Sequence, residues 1–354
     1  MTEPTTQPAG RSHNRTLKTL FKQLYPAVVA AQSEADLKPI FTQLRTMEEG
    51  ERLAFHHTPH KIVAGVLGLV ALLFWGYWGE TPELYQSLSD ELTMAALAVT
   101  LLLVALPLII IWFNRRTMTQ LDEAIWIKNT LFDNELQSIP IENGATLHQQ
   151  LKSQFADFER GDRKQKIITA LQGHHAGDEH AFDFNLYGFS YVVVRHVTER
   201  DANGNTHTRE KETTHHRYAL VCDFPFRSAI ELSSGGIPLR YGSSYETSSA
   251  AFNGRFSIVG DDVMELSKFL RPTLVQAIEQ ELGELFQSPT LEINGQNRLC
   301  IAFADHDLLR AERQYDLSQL GLFEQEVMGE SRLKKLDNLQ AFVHLLMKYN
   351  DSNF

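Results

Sequence analysis

Two apolar stretches, 62–78 and 94–113, constrain this chain more than anything else in it, because neither contains a charged residue. As helices rising about 1.5 Å per residue, each crosses or nearly crosses a hydrocarbon layer roughly 30 Å thick. A core helix of a soluble protein meets the same length test for the first stretch, so the flanks decide. Trp75, Tyr77 and Trp78 crowd one end of the first stretch and Trp112 and Phe113 close the second, where amphipathic rings settle at a headgroup boundary. The connection 79–93 carries Glu80, Glu83, Asp90 and Glu91 and no Lys or Arg, whereas Arg52, Lys61, Arg115 and Arg116 lie outside it. Basic residues are retained on the cytoplasmic side, so the pattern predicts a two-helix transmembrane hairpin over 61–116 with both termini cytoplasmic. No ionisable group lies within either span, which favours an anchor in the lipid bilayer over a transport pathway. Pro107 is expected to kink the second helix, and Ala64 with Gly68 has the small-residue spacing that lets another helix approach, in this chain or in a homo-oligomer.

Charge separates the two halves. Residues 1–116 carry as many Lys and Arg as Asp and Glu, so the whole formal charge of −11 falls in 117–354. Such an acidic domain is repelled by an anionic leaflet and by phosphate backbones, which argues against nucleic acid as a partner. The two cysteines, Cys222 and Cys300, sit in apolar, strand-like runs and imply buried free thiols in a reducing compartment. No cleavable secretory leader is read in the first 30 residues, and the first membrane helix takes that role.

Along the chain, 1–14 is polar and reads as disordered. Leu17, Leu20, Phe21 and Leu24, with Lys18 and Lys22, predict a basic amphipathic helix that ends near Pro26 and either lies on the leaflet or packs on the next helix. That next helix shows Leu37, Ile40, Phe41, Leu44 and Met47 on one face. These helices make 1–60 a cytoplasmic helical segment. After Arg116 the second membrane helix is expected to continue through Leu121, Ala124, Ile125, Leu131 and Phe132. Pro140 and Asn143-Gly144 break it, and Leu147, Leu151, Phe155 and Phe158 restart a helix, so 117–172 reads as a helical connector.

The period then changes from 3.6 to 2. Strands are predicted at 182–189, 191–197 and 218–224, with a type I′ turn at Asn203-Gly204. A second hairpin is predicted around Asn294-Gly295, between 291–293 and 298–303. A Ser-, Gly- and Tyr-rich loop spans 233–253. Asp262 is placed to cap a helix, with Glu265 completing a capping box and Pro272 opening a further turn. Strands grouped before helices make 173–312 an α+β cytosolic domain, and 313–354 a C-terminal helical segment with Leu333, Leu336, Leu339, Phe342, Leu345 and Leu346 on its apolar face. The fold class expected is thus a membrane-anchored α+β protein: a transmembrane hairpin, then antiparallel hairpins and packed helices.

The run YALVCDFP at 218–225, FNGRF at 252–256 leading to Asp261-Asp262, FLRP at 269–272 and LCIA at 299–302 resemble the bacterial domain-of-unknown-function family 3137 over about 118–310. The resemblance implies paired N-terminal membrane helices followed by a cytosolic domain, in a bacterial inner membrane. It implies no activity. A glycine expected near the start of the 218 strand is replaced by the His215-His216-Arg217 surroundings.

Candidate chemistry centres on histidine. His174, His175, Asp178 and His180 are close enough in sequence to be considered as metal ligands, and a metal-dependent hydrolase would use His174, His175 and His180 or else Asp305-His306-Asp307. A turn at Asn203-Gly204 pairs His196 with Lys211, Val192 with His215 and Arg195 with Glu212. His196 and His215 then share a face about 13 Å apart, with His216 on the other face, so these three do not converge. Asp305-His306-Asp307 fits a turn better than a site, because consecutive residues seldom converge on one substrate. No nucleophile elbow or P-loop is found around Gly235-Gly236, and no cofactor motif is recognised. A membrane-anchored binding or scaffolding module, with Tyr241 and Tyr245 in an adaptable contact loop for a protein partner, is the function expected.

Overall fold

The first helices form because each has an apolar stripe to bury. The structure, a computed structural model, describes residues 9–50, 53–80, 90–200, 206–235 and 239–351. Four helices come first: α1 (Ala9–Ala30), α2 (Glu34–Gly50), α3 (Thr58–Glu80) and α4 (Asp90–Asp133). Strand β1 (Gln137–Ser138), helix α5 (Gly144–Gln154) and a 3-10 turn (Ala156–Glu159) lead into β2 (Arg163–Ala176), β3 (Ala181–Arg200) and β4 (Thr206–Asp223). Next come β5 (Ile230–Ser233), β6 (Ser243–Ser244), α6 (Ala250–Arg255), β7 (Ser257–Gly260), α7 (Val263–Phe269), α8 (Pro272–Ala277) and a π-helical turn (Ile278–Glu284). The hairpin β8 (Thr290–Asn294) and β9 (Arg298–Phe303) precedes α9 (Leu320–Val327) and α10 (Lys334–Asp351).

The chain divides into two units, Met1–Asn129 with Arg313–Glu330, and Thr130–Glu312 with Ser331–Phe354. The segment 313–354, expected as one piece, is therefore shared between them. In the first unit, Leu17, Phe21, Leu24 and Val28 of α1 are buried, as are Leu37, Ile40, Phe41 and Leu44 of α2. Phe21 meets Phe55 edge-on at 5.9 Å between ring centroids, and Phe41 packs on Phe323 of α9 at 6.1 Å. The stripe of α1 is thus used largely for helix packing. Two boundaries also move: α1 runs through Pro26 to Ala30, and 9–14 is helical rather than disordered.

Helix α4 is unbroken through Pro107 and Arg115 to Asp133. Its part Met94–Asp133 is the one helix among the described residues long and apolar enough to cross a membrane, and only 11% of its most apolar window is buried. Val99, Leu101, Leu102, Leu108 and Ile109 are exposed. The Thr58–Leu73 part of α3 is a shorter apolar helix with Ile62, Leu69 and Leu72 exposed. Most of the acidic connection between the two stretches lies outside the described residues. Beyond Arg116 the same helix turns soluble in character, burying Leu121, Ile125 and Trp126, and Asp122 bonds Arg313 at 2.8 Å.

The second unit is a nine-stranded antiparallel sheet in the order β1-β2-β3-β4-β9-β8-β5-β7-β6. One face carries Ile167, Ala170, Phe189, Tyr191, Ala219, Val221, Cys300 and Ala302, which pack under α5 and the 3-10 turn through Leu151, Phe155 and Phe158. The alternate residues Leu186, Leu220, Cys222, Leu299, Ile301 and Phe303 are buried on the other face, where Phe286 meets Phe303 at 4.6 Å. Because successive side chains alternate, Cys222 and Cys300 lie on opposite faces and both are free.

Several sequence expectations are corrected here. The helical connector ends early, since 163–172 lies in β2, a member of the sheet. Its buried positions Ile167, Ala170 and Leu171 fall three and four apart, which mimics a helix, because register shifts at Arg163/Lys166 and Ile167/Thr169 break the alternation. The strands expected at 182–189 and 191–197 are one strand, β3. The β3–β4 register is one residue off the expected one: His196 faces Glu210, Arg195 faces Lys211 and Val192 faces Thr214. That slip puts His196 and His215 on opposite faces. The Asn203-Gly204 turn itself lies outside the described residues. In the second hairpin Asn294 pairs with Arg298, and it is Asn297, at φ 59°, that takes the left-handed position. Asp262 does cap α7, accepting from the Met264 amide, while Glu265 pairs with Lys268 rather than closing a capping box.

Candidate functional site

Two strands carry a carboxylate at their centre. Glu231 of β5 and Glu292 of β8 are register partners, flanked by apolar neighbours, and are 0% and 1% exposed. Alternation turns both toward the face covered by α5. The Ala156 amide donates to Glu292 Oε2 at 2.6 Å, and the Tyr241 hydroxyl reaches Glu292 Oε1 at 3.5 Å. The Arg240 amide donates to Glu231 Oε2 at 3.1 Å, whereas Glu231 Oε1 has no hydrogen-bond partner among the described residues. Burial pushes Glu292 up to about 8, outweighing the Ala156 amide, and the neighbouring Glu231 adds to the rise. Glu231 is raised as well, again chiefly by burial. Burial of two register-paired carboxyls thus favours the protonated form of Glu292 at neutral pH.

A third buried carboxylate adjoins them. Asp157 accepts from Arg217 Nε at 2.8 Å and Nη2 at 3.0 Å, from Arg160 Nε at 2.8 Å and from the Thr290 hydroxyl at 3.1 Å. Burial alone would push this carboxyl up, but the Arg217 and Arg160 guanidiniums outweigh it and hold it below the usual carboxylate range. Arg240 also bonds Glu159 at 2.7 Å and the Lys152 carbonyl. Burial, with Glu292 beside it, raises Tyr241 above its ordinary value. Glu231, Glu292 and Asp157 are closed to solvent, while Arg240 and Tyr241 are half-buried above them. Together they clasp the Arg240–Tyr241 segment to the sheet and to α5.

That clasp changes the reading of the Ser-, Gly- and Tyr-rich loop. Within 239–253, β6 pairs with β7, the Tyr245 amide donates to the Ile258 carbonyl, and Thr247 and Asn253 exchange hydrogen bonds before α6. The segment is an ordered sheet edge rather than an adaptable loop. Gly235 takes φ 117°, and 236–238 lie outside the described residues, including the second glycine of the Gly235-Gly236 pair.

Among the histidine candidates, His174 stands apart from His175 and His180, which both flank His344. His174 Nδ1 bonds Asp183 at 2.7 Å on the rim of a cleft of about 520 Å³ that also includes Gln137, Gln172, Asn185, Asp223 and Arg298. His175, on the opposite face of β2, lies 5.8 Å from His344 between ring centroids, and His180 lies 5.6 Å from it. Asp178 is exposed. Among the described residues no group of three or more His, Cys, Asp or Glu is arranged to hold a metal ion. Asp305 and Asp307 both bind Lys335, at 2.6 and 2.7 Å, and Asp305 Oδ2 also accepts from the Gln287 amide. These are the contacts of a turn pinned to α10.

No family model, curated protein or solved structure matches the chain. Sequence reasoning passed over Glu231, Glu292 and Asp157. The signal was present in Ile230-Glu231-Leu232 and Leu291-Glu292-Ile293, where a lone carboxylate stands between apolar residues that face the other side of the sheet.

Proposed function

We propose that this chain is a bacterial inner-membrane protein whose two helices, 62–78 and 94–113, form an anchoring hairpin with both termini cytoplasmic, and whose α+β unit is a binding or scaffolding surface. The observation that carries the reading is the apolar helix within Met94–Asp133, with its side chains turned outward and only 11% of its most apolar window buried. Lipid is the solvent such a surface fits. The cations of Lys61, Arg115 and Arg116 outside the spans, against the acids between them, support the orientation. The resemblance to family 3137 implies this architecture and brings no activity. The face offered to a protein partner is the clasped edge 239–253, where Gly242, Ser244, Glu246 and Ser248 alternate outward.

Alkaline carbonate extraction of membranes tests the anchor. The chain is expected to stay in the pellet, and Leu102→Arg with Ile109→Arg to release it; a wild-type chain found in the supernatant contradicts the reading. Native mass spectrometry of the detergent-released chain tests the rest. An oligomer or a stoichiometric protein partner supports scaffolding, and one metal or small molecule per chain contradicts it.

A further inference from the structure

The β3–β4 hairpin outruns its sheet. β2 accompanies β3 only as far as the Arg163–Val192 rung, and β9 joins β4 only from Tyr218, so 193–200 and 206–213 pair with each other alone. Eight rungs at about 3.3 Å make a ribbon roughly 26 Å long. Its two faces are sorted by charge. On one, Glu210 and Glu212 are neutralised by Arg163 at 3.0 and 3.3 Å, and Lys164 reaches Glu212 at 2.7 Å. On the other, Arg195 stands directly opposite Lys211, next to the Val197–Arg209 rung, and both are exposed. Arg209 has Glu199 at 2.9 Å, but no ion pair joins Arg195 or Lys211 to a carboxylate among the described residues. Like charges directly opposed across two strands destabilise the pair. A ribbon that keeps them, in a unit otherwise acidic, has a face built for an anion.

We propose that this basic face docks on the phosphates of anionic phospholipid headgroups, a second membrane contact for an otherwise acidic unit. The inference rests on the membrane anchor proposed above. Charge complementarity selects the occupant: each Lys or Arg near an anionic leaflet contributes about fivefold in affinity. Free in solution that is weak. Tethered by an anchor, the same contact becomes intramolecular, and a few cations suffice. Val193 and Val197, half-buried on the same face, keep the cations on a stiff strand rather than a floppy tail.

The test uses the full chain in nanodiscs of phosphatidylcholine alone, or with about one-third phosphatidylglycerol. Hydrogen exchange is followed at the ribbon amides, with the amides of β9 as a folding control and those of 94–113 as the report on the anchor. Exchange in the ribbon is expected to slow about fivefold or more in anionic discs. The protection should vanish in Arg195→Glu/Lys211→Glu and in high salt, with β9 unchanged. Equal ribbon exchange in both discs, with 94–113 protected, overturns the docking and leaves the anchor standing. Unprotected 94–113 amides overturn both. Ribbon protection by added transfer RNA in neutral discs, without any from anionic lipid, overturns the lipid in favour of nucleic acid.

Discussion

Replacing Glu292 by Gln keeps the acceptor for the Ala156 amide and removes the ionisation. In the folded chain burial raises Glu292 from its ordinary 4.5 to about 8. A raised carboxyl favours the folded state fully below its unfolded pKa, and that contribution is lost as the pH climbs through the folded pKa. The window therefore runs from about 4.5 to about 8. Linkage over the interval from about pH 5.5 to about pH 8.5 amounts to about 3 kcal/mol from this group. Glu231, raised in the same direction, titrates with it as a pair and steepens the loss. Hydrogen exchange of the β8 and β9 amides, corrected for intrinsic rates and converted to opening free energies, reads the effect in the full chain. The wild-type sheet is expected to open more easily at the higher pH, and Glu292→Gln to lose most of that slope and be the more stable variant there. A wild-type sheet equally stable at both values, or a Glu292→Gln chain with the same slope, refutes the raised Glu292 carboxyl.

Other perturbations address other parts of the sheet unit. Arg217→Met removes two of the three guanidinium bonds to buried Asp157, leaving Arg160, and is expected to destabilise the unit by about 3–5 kcal/mol in urea unfolding. His148 is fully buried, neither ring nitrogen has a hydrogen-bond partner among the described residues, and burial lowers its pKa. His148→Leu should raise stability by about 1–2 kcal/mol and flatten the loss of stability below pH about 6.5; a destabilised variant counts against an orphaned imidazole. Gly144→Ala drives a methyl into the Ile167 carbonyl oxygen, where α5 begins on β2, and is expected to lower the thermal midpoint by several degrees.

The long elements were legible where one physical signal dominates. Charge-free apolar length marked α4, the stripe of Leu37, Ile40, Phe41 and Leu44 marked α2, and Asp262 marked the start of α7. What escaped depended on partners distant in sequence. β2 hides its period behind two register shifts, and a one-residue difference in the β3–β4 register reversed which face each β4 histidine takes. The clasp was illegible for a related reason: Glu231 and Glu292 are 61 residues apart and meet only because β5 and β8 are neighbours in the sheet. A carboxylate amid apolar neighbours marks a question, and only the register supplies its partner. Likewise the Ser- and Gly-rich composition of 233–253 predicted freedom, because nothing local foretells that Arg240 and Tyr241 are held by side chains of β5, β8 and the 3-10 turn.

The most direct test of the membrane reading is cysteine labelling from outside. Cys222 and Cys300 are buried, and burial pushes their thiols up, Cys222 to about 12, so the native chain should be silent to a membrane-impermeant maleimide. A Ser87→Cys chain, altered between the two apolar stretches, and a Thr208→Cys chain, altered on the exposed ribbon, are expressed separately in a bacterium and labelled on spheroplasts. Label at position 87 before lysis, and at position 208 only after it, is the predicted result. Label at 208 in intact spheroplasts, or the same labelling of both positions only after lysis, contradicts the hairpin with cytoplasmic ends.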